Sequence, residues 1–248
     1  MASPLSASSL WPFFCLYGGK WRVAPHYEAP LHATIVEPFA GAAGYSLRYP
    51  HYEIHLNDRD PLIAALWRYL IRVSEREILS LPLEVEHVDQ LAVAEEARWL
   101  IGFWLNKGMT APCKTPSKWM RDGWRPKSQW GDVIRARIAS QLPQIRHWRV
   151  TEGSWADLPL GSHERTWFVD PPYNNRVGRR YRYHDIDYRA LGSWCYALPG
   201  QVIVCEQSGA SWLPFEAFRA IKSTEGRLRE NRSAEVVWTN SPRLELAV

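Results

Sequence analysis

Sulfur is scarce in this chain, and its placement argues against structural metal or disulfide chemistry. The 248 residues include three methionines and four cysteines, Cys15, Cys113, Cys195 and Cys205, with no Cys-x-x-Cys pair among them. No histidine stands at zinc-ligand spacing from any of them, so neither a zinc site nor a disulfide framework is expected, and no metal cofactor. Membrane-length apolar runs are missing too: the stretch over residues 10–16 is too short to span a bilayer and lacks the basic residues that precede a signal sequence. The expectation is a cytoplasmic protein without a membrane partner. Internal repeats and low-complexity tracts are also absent, which excludes solenoids and disordered arrays.

What is present suits one compact catalytic domain with room for a modest insertion: 46% of the residues are hydrophobic, and there are 14 tryptophans and 11 tyrosines. Flat rings in that number can fill a core or stack on bases. The net charge is only +4, but the positive residues cluster. Lys107, Lys114, Lys118, Arg121, Arg125, Lys127, Arg135, Arg137, Arg146 and Arg149 crowd one stretch, opposed by Asp122 and Asp132 alone. Arg176, Arg179, Arg180 and Arg182 form a second group. Local fields of that kind suit a polyanion carrying phosphates along its length.

The pattern along the chain alternates strand and helix. Residues 33–36 are an apolar, β-branched run ending in Glu37-Pro38-Phe39-Ala40-Gly41-Ala42-Ala43-Gly44, which reads as a buried strand entering a glycine-containing loop with a helix behind it. A second strand over 52–56 leads through Asn57-Asp58-Arg59-Asp60-Pro61 into a helix marked by Leu62, Ile63, Leu66, Trp67, Leu70 and Ile71. Strand signals return at 147–150, 166–169, 201–205 and 235–239. Ser74 with Glu77 has the form of a capping box, and 91–105 and 133–142 read as helices. The expected fold is therefore α/β with a parallel, Rossmann-like sheet. Residues 1–73 and 148–248 form the catalytic domain, and 74–147 an inserted basic helical module.

Three constellations carry chemistry. A loop of small residues after a strand lets backbone approach a nucleotide-like ligand, and Gly41 and Gly44 supply that freedom. Asp58, ending the second strand, can accept from both hydroxyls of a ribose, while Asp60 suits a helix cap. The strongest signal is Asp170-Pro171-Pro172-Tyr173 at the end of a buried strand. An exocyclic amine has two N–H donors; the Asp170 carboxylate and the Pro171 carbonyl are two acceptors held in place by rigid prolines. Their pull directs the nitrogen lone pair at an electrophilic methyl group, and Tyr173 can stack on a base turned out of its duplex.

Together these motifs resemble the Dam-like adenine-N6 DNA methyltransferases, phage enzymes included, over nearly the whole chain. Tyr17-Gly18-Gly19-Lys20 is similar to that family's amino-terminal Gly-Gly-Lys element, and residues 37–44 to its cofactor loop. A target-recognition insert lies between cofactor loop and Asp-Pro-Pro-Tyr in the family, as the basic module does here. The resemblance implies S-adenosylmethionine as methyl donor and double-stranded DNA as partner. It implies cofactor contacts from Gly18, Gly19, Lys20, Glu37, Pro38, Phe39, Gly41, Gly44, Asp58 and Asp170, with Lys20 near the methionine end or the target base. Ser154-Trp155 would border the cofactor adenine, although many relatives carry Asp-Phe there; Asp157 is the alternative acid. Catalysis falls to Asp170, Pro171, Pro172 and Tyr173. DNA contacts fall to Lys114, Lys118, Arg121, Arg125, Lys127, Arg179 and Arg180, with Trp124 and Gln129 as further candidates for reading bases. The strand over 235–239 resembles the family's closing strand and is expected to be structural. The sequence leaves the oligomeric state open, and a monomer is compatible with all of this. The same acceptor geometry also fits cytosine N4, adenine in RNA or a protein glutamine, and a non-catalytic nucleic-acid-binding relative would keep the fold alone.

Overall fold

The computed structural model describes residues 9–123, 128–222 and 232–241. Its centre is β1 (Thr34–Glu37), where Ile35 and Val36 are both buried because each face of the strand is covered. β2 (Glu53–Asp58) pairs with it in parallel, Ile35 opposite Ile54, and β3 (Arg149–Glu152) follows β2 on the same side. On the other side of β1 come β4 (Arg165–Val169) and β5 (Gly200–Gln207), again parallel. β7 (Arg232–Thr239) runs antiparallel to both β5 and β6 (Glu216–Lys222), giving the order β3-β2-β1-β4-β5-β7-β6. This is the α/β, Rossmann-like sheet expected from the strand and helix alternation, except that the expected parallel sheet is made mixed by antiparallel β7. The order reverses between β1 and β4, and in open α/β sheets the ligand crevice lies at such a switch point, beyond the carboxyl ends of the strands. Residues 38–44 and 170–173 leave the sheet there.

α1 (Pro61–Arg72) starts where the residue types dictate: Pro61 occupies the first helical position and the Asp60 carboxylate accepts from Leu62 N–H at 3.0 Å. Its apolar side buries Ile63, Leu66, Trp67 and Leu70. α2 (Glu75–Ser80), α3 (Glu95–Leu105), α4 (Lys118–Arg121) and α5 (Asp132–Gln141) fill the segment expected to be helical. Phe103, Trp104, Ile134 and Ile138 from these helices lie in one buried cluster with Phe14, Ile35, Trp67 and Phe168. α6 (Tyr188–Ala197) covers the opposite face, placing Leu191 and Cys195 on Val36, Trp167, Val202 and Val204. Among the described residues no helix is long and apolar enough to cross a membrane.

Several local expectations change. No α-helix follows the loop after β1: residues 46–48 make only one 3₁₀ turn, because Leu47 and the rings of Tyr45 and Tyr49 pack inward and Pro50 cannot continue a helix. A helix dipole therefore adds nothing at that loop. The Ser74 hydroxyl does accept from Glu77 N–H, at 3.1 Å, yet the Glu77 carboxylate accepts from Tyr69 O–H instead of closing a capping box. β3 begins two residues later than its apolar pattern suggests. β6 and α6 stand outside the expected elements; β6 is an edge strand with a bulge at Ala217 and Arg219, where the period-two signal breaks.

Candidate active site

β4 delivers Asp170 to the crevice from a run in which Thr166, Trp167, Phe168 and Val169 are all buried. The following prolines end the ladder, and among the described residues nothing donates to the Pro171 carbonyl, whereas Pro172 O accepts from Tyr188 O–H at 2.5 Å. Tyr173 is then held from two directions. Asn174 N–H donates to Glu206 at 3.1 Å, and Gly178 packs so closely that a Cβ there would lie 2.7 Å from Tyr173 N. Only glycine fits that approach.

Lys20, 150 residues upstream, meets Asp170 across the crevice. Its ammonium lies 2.7 Å from Oδ1 and 2.9 Å from Oδ2, 3.2 Å from the Gly18 carbonyl and 4.8 Å from the Tyr173 ring centre. Burial disfavours a charge on Lys20, but Asp170, with Tyr173 and Glu235 behind it, offsets this and holds the ammonium well above its ordinary pKa. Burial pushes Asp170 up to about 6, with Lys20 opposing the rise and Glu235 and Glu206 adding to it. Lys20 thus sits on the Asp170 carboxylate, the contact that joins the amino-terminal turn to the end of β4.

The loop after β1 is shaped by backbone conformation. Gly41 has φ +45°, and Ala43, at φ +50°, is the non-glycine residue of the described chain in the left-handed region. Trp67 Nε1 donates to Gly41 O at 2.8 Å, and Asp58 Oδ2 accepts from Gly41 N–H at 2.9 Å while its Oδ1 accepts from Asp60 N–H at 2.9 Å. Burial raises Asp58 to about 6 against those two hydrogen bonds. Each oxygen keeps a second lone pair for a ligand hydroxyl. Glu37, fully inside, accepts from Ser46 N–H at 2.7 Å and is pushed up to about 8 by burial. Gly44 packs on the amino-terminal turn: a Cβ there would lie 2.6 Å from Trp21 N and 2.9 Å from Lys20 N, so its bareness lets the turn carrying Lys20 pack on the loop. Pro38 O accepts from Asn57 Nδ2 at 3.2 Å, and Phe39 packs at the edge of the second core cluster.

Gly18 and Gly19 are exposed, and Gly18, at φ +75°, lies against the hydroxyl of Tyr181, which donates to Tyr17 O at 2.7 Å. Residues 109 and 110 of the helical segment close the same corner, with Met109 O accepting from Tyr17 N–H and Thr110 donating to Arg180 O. Ser154 caps a short turn by accepting from Ala156 N–H, and half-buried Trp155 packs edge-on against Trp194 with ring centres 5.3 Å apart. Ser154 and Asp157 line a polar groove of about 500 Å³ with His55, Thr151 and Arg149.

The basic residues divide by use. Lys118 and Arg121 are exposed on α4, Arg179 and Arg180 are exposed in the turn Gly178–Arg180, and Lys114 is exposed but pairs with Asp89 at 2.7 Å. Arg125, Lys127 and Trp124 lie outside the described residues. Three others do internal work. Arg146 donates to Val73 O at 2.6 Å and to carbonyls at the end of α1, Arg135 donates to Leu81 O at 2.7 Å, and Arg137 lies 5.2 Å over the Trp104 ring. These three are thus engaged in packing and capping as well as adding to the basic run.

Sequence reasoning named Asp170, Lys20, Asp58 and the loop; it passed over Glu235, Tyr27, Tyr181 and Gly178. Tyr181 follows the basic Arg179-Arg180 pair, the one local hint available for it.

No family model and no curated protein matches the chain. Solved structures similar to it include a conserved hypothetical protein of Streptococcus pyogenes, with TM-score 0.38 and 10% identity over 89% of this chain and 91% of that one. Another is a candidate methylase of Haemophilus influenzae, with TM-score 0.36 and 10% identity over 88% of this chain and 84% of that one. Likeness at that level says nothing about the reaction.

Proposed function

We propose that the chain is an S-adenosylmethionine-dependent methyltransferase acting on an exocyclic amino nitrogen, with adenine N6 in double-stranded DNA as its acceptor. One observation carries the reading: Asp170, followed by two prolines and Tyr173, stands at the carboxyl end of β4, beside the loop of β1 at the point where the sheet order reverses. The residues present fit the cofactor. The left-handed backbone at Gly41 and Ala43 opens the loop, and Asp58 reaches the crevice with lone pairs to spare. When bound, S-adenosylmethionine supplies a methyl on a sulfonium, an electrophile with its leaving group built in.

The chain's own residues then orient and polarise. Asp170 and the Pro171 carbonyl accept the two N–H groups of the amine, and the Tyr173 ring supports the base after it leaves the stack. Lys20 occupies one lone pair on each Asp170 oxygen, leaving another on each for the acceptor. As the nitrogen becomes positive, the Asp170 carboxylate lowers the cost of that charge and holds the departing proton's hydrogen bond. Exposed Lys118, Arg121, Arg179 and Arg180 supply phosphate contacts, and base reading falls to Arg121 and its neighbours.

The test is direct. The protein is incubated with plasmid DNA and labelled S-adenosylmethionine, and the modified nucleoside is identified by mass spectrometry. N6-methyladenine is the expected product, lost in Asp170→Ala with cofactor binding retained. N4-methylcytosine, label in RNA or protein alone, or an active Asp170→Ala enzyme would overturn the assignment.

A further inference from the structure

A second carboxylate stands behind Asp170. Glu235 lies on β7, opposite Gln207 of β5, and is 4% exposed. Its Oε1 accepts from Tyr27 O–H at 2.5 Å and from Tyr173 O–H at 3.2 Å, and lies 3.8 Å from the Lys20 ammonium. A strand needs no carboxylate there, and burying one is costly unless its lone pairs are satisfied. Two of its three partners belong to the candidate active site. Moreover, a lone Lys20–Asp170 pair would be neutral, and the ammonium would cancel much of the pull that Asp170 exerts on an acceptor amine. With two carboxylates facing one ammonium, the pocket keeps an excess of negative charge where the amine nitrogen turns positive.

We propose that Glu235 is a positioning residue for transfer, aiming the Tyr173 ring through its phenol and sharing the Lys20 charge so that Asp170 remains an effective acceptor. The inference rests on the function proposed above. The groups around Asp170 are Lys20 from the amino-terminal turn, Glu235 from β7, Glu206 and Cys205 from β5, Glu37 from β1, and Tyr27, Tyr173 and Tyr181 from the loops.

Glu235→Gln tests it, because the amide keeps the volume and an acceptor oxygen while removing the charge. Two measurements are made. In single-turnover transfer to DNA the variant is expected to slow about tenfold or more with cofactor affinity within about twofold of native. In the protein alone, carboxyl NMR of labelled aspartate follows Asp170, whose inflection near pH 6 is expected to move down once the like charge of Glu235 is gone. A native transfer rate, or an unmoved Asp170 inflection, would overturn the proposal. A native protein that methylates no nucleic acid sinks the functional reading instead, and the NMR arm then decides the electrostatic link by itself. Should Glu235→Gln fail to fold, Tyr173→Phe removes the phenol that Glu235 holds. Transfer is then expected to fall several-fold, and transfer at the native rate overturns the positioning role.

Discussion

At the residue scale the site is governed by opposing effects on one carboxylate. Burial raises Asp170 to about 6, and Lys20 restrains that rise. The reaction proposed here needs the ionised form, so transfer should increase with pH through an inflection near 6 and level off above it. Below the inflection the protonated acid donates where it must accept. Replacing Lys20 with methionine removes the restraint, so the inflection should move to higher pH, the opposite direction from Glu235→Gln. The same change leaves a buried carboxylate without its cation and should cost about 3 kcal/mol of stability. Rate against pH and chemical denaturation check the two parts. A pH profile unchanged in Lys20→Met would mean that the ion pair does not tune Asp170.

At the scale of elements, the loops at the sheet's edge are held by close approaches. Gly178 lies against the Tyr173 backbone, and a methyl there has no room without moving that segment. Gly178→Ala should therefore lower transfer at least tenfold while changing cofactor affinity little, read by single-turnover kinetics and calorimetry. β1 carries a different constraint in Glu37. Unfolded, it ionises near 4.5; inside the sheet it does so near 8. Between those values the unfolded chain has released a proton that the fold retains, so stability falls as pH rises across the window and levels off above about 8. Glu37→Gln should flatten part of that slope, leaving the shares of Asp58 and Asp170, which have the same sign. Melting temperatures at pH 5 and pH 8 measure this, and a Glu37→Gln slope as steep as the native one would contradict it. Most elements were readable beforehand because their signals are local: Asp60 before Pro61 starts α1, and β-branched runs mark β1 and β4. Residues 46–48 misled because small residues before an apolar stretch look like a helix entrance until Pro50 and inward-packed rings stop it.

At the scale of the whole molecule, exposed lysines and arginines face solvent from α4 and from the turn beside Tyr173. If they track phosphates, DNA affinity should drop steeply with rising salt, and the double substitution Lys118→Ala with Arg121→Ala should make the log–log slope about 2 shallower. Salt-independent binding, measured by fluorescence anisotropy, would point instead to a small or neutral substrate.

The α/β alternation, the loop after β1 and the Asp-Pro-Pro-Tyr segment at the end of β4 were legible in the sequence, because each depends on residues adjacent along the chain. Tertiary structure alone decided which groups surround Asp170. Lys20 reaches it from 150 residues upstream and Glu235 from the antiparallel strand β7, through a strand order that no local pattern encodes. It also showed that Arg146 caps α1, although in one dimension that residue is indistinguishable from an arginine facing DNA. A charge takes its meaning from its neighbours, and neighbours are set only when the sheet assembles.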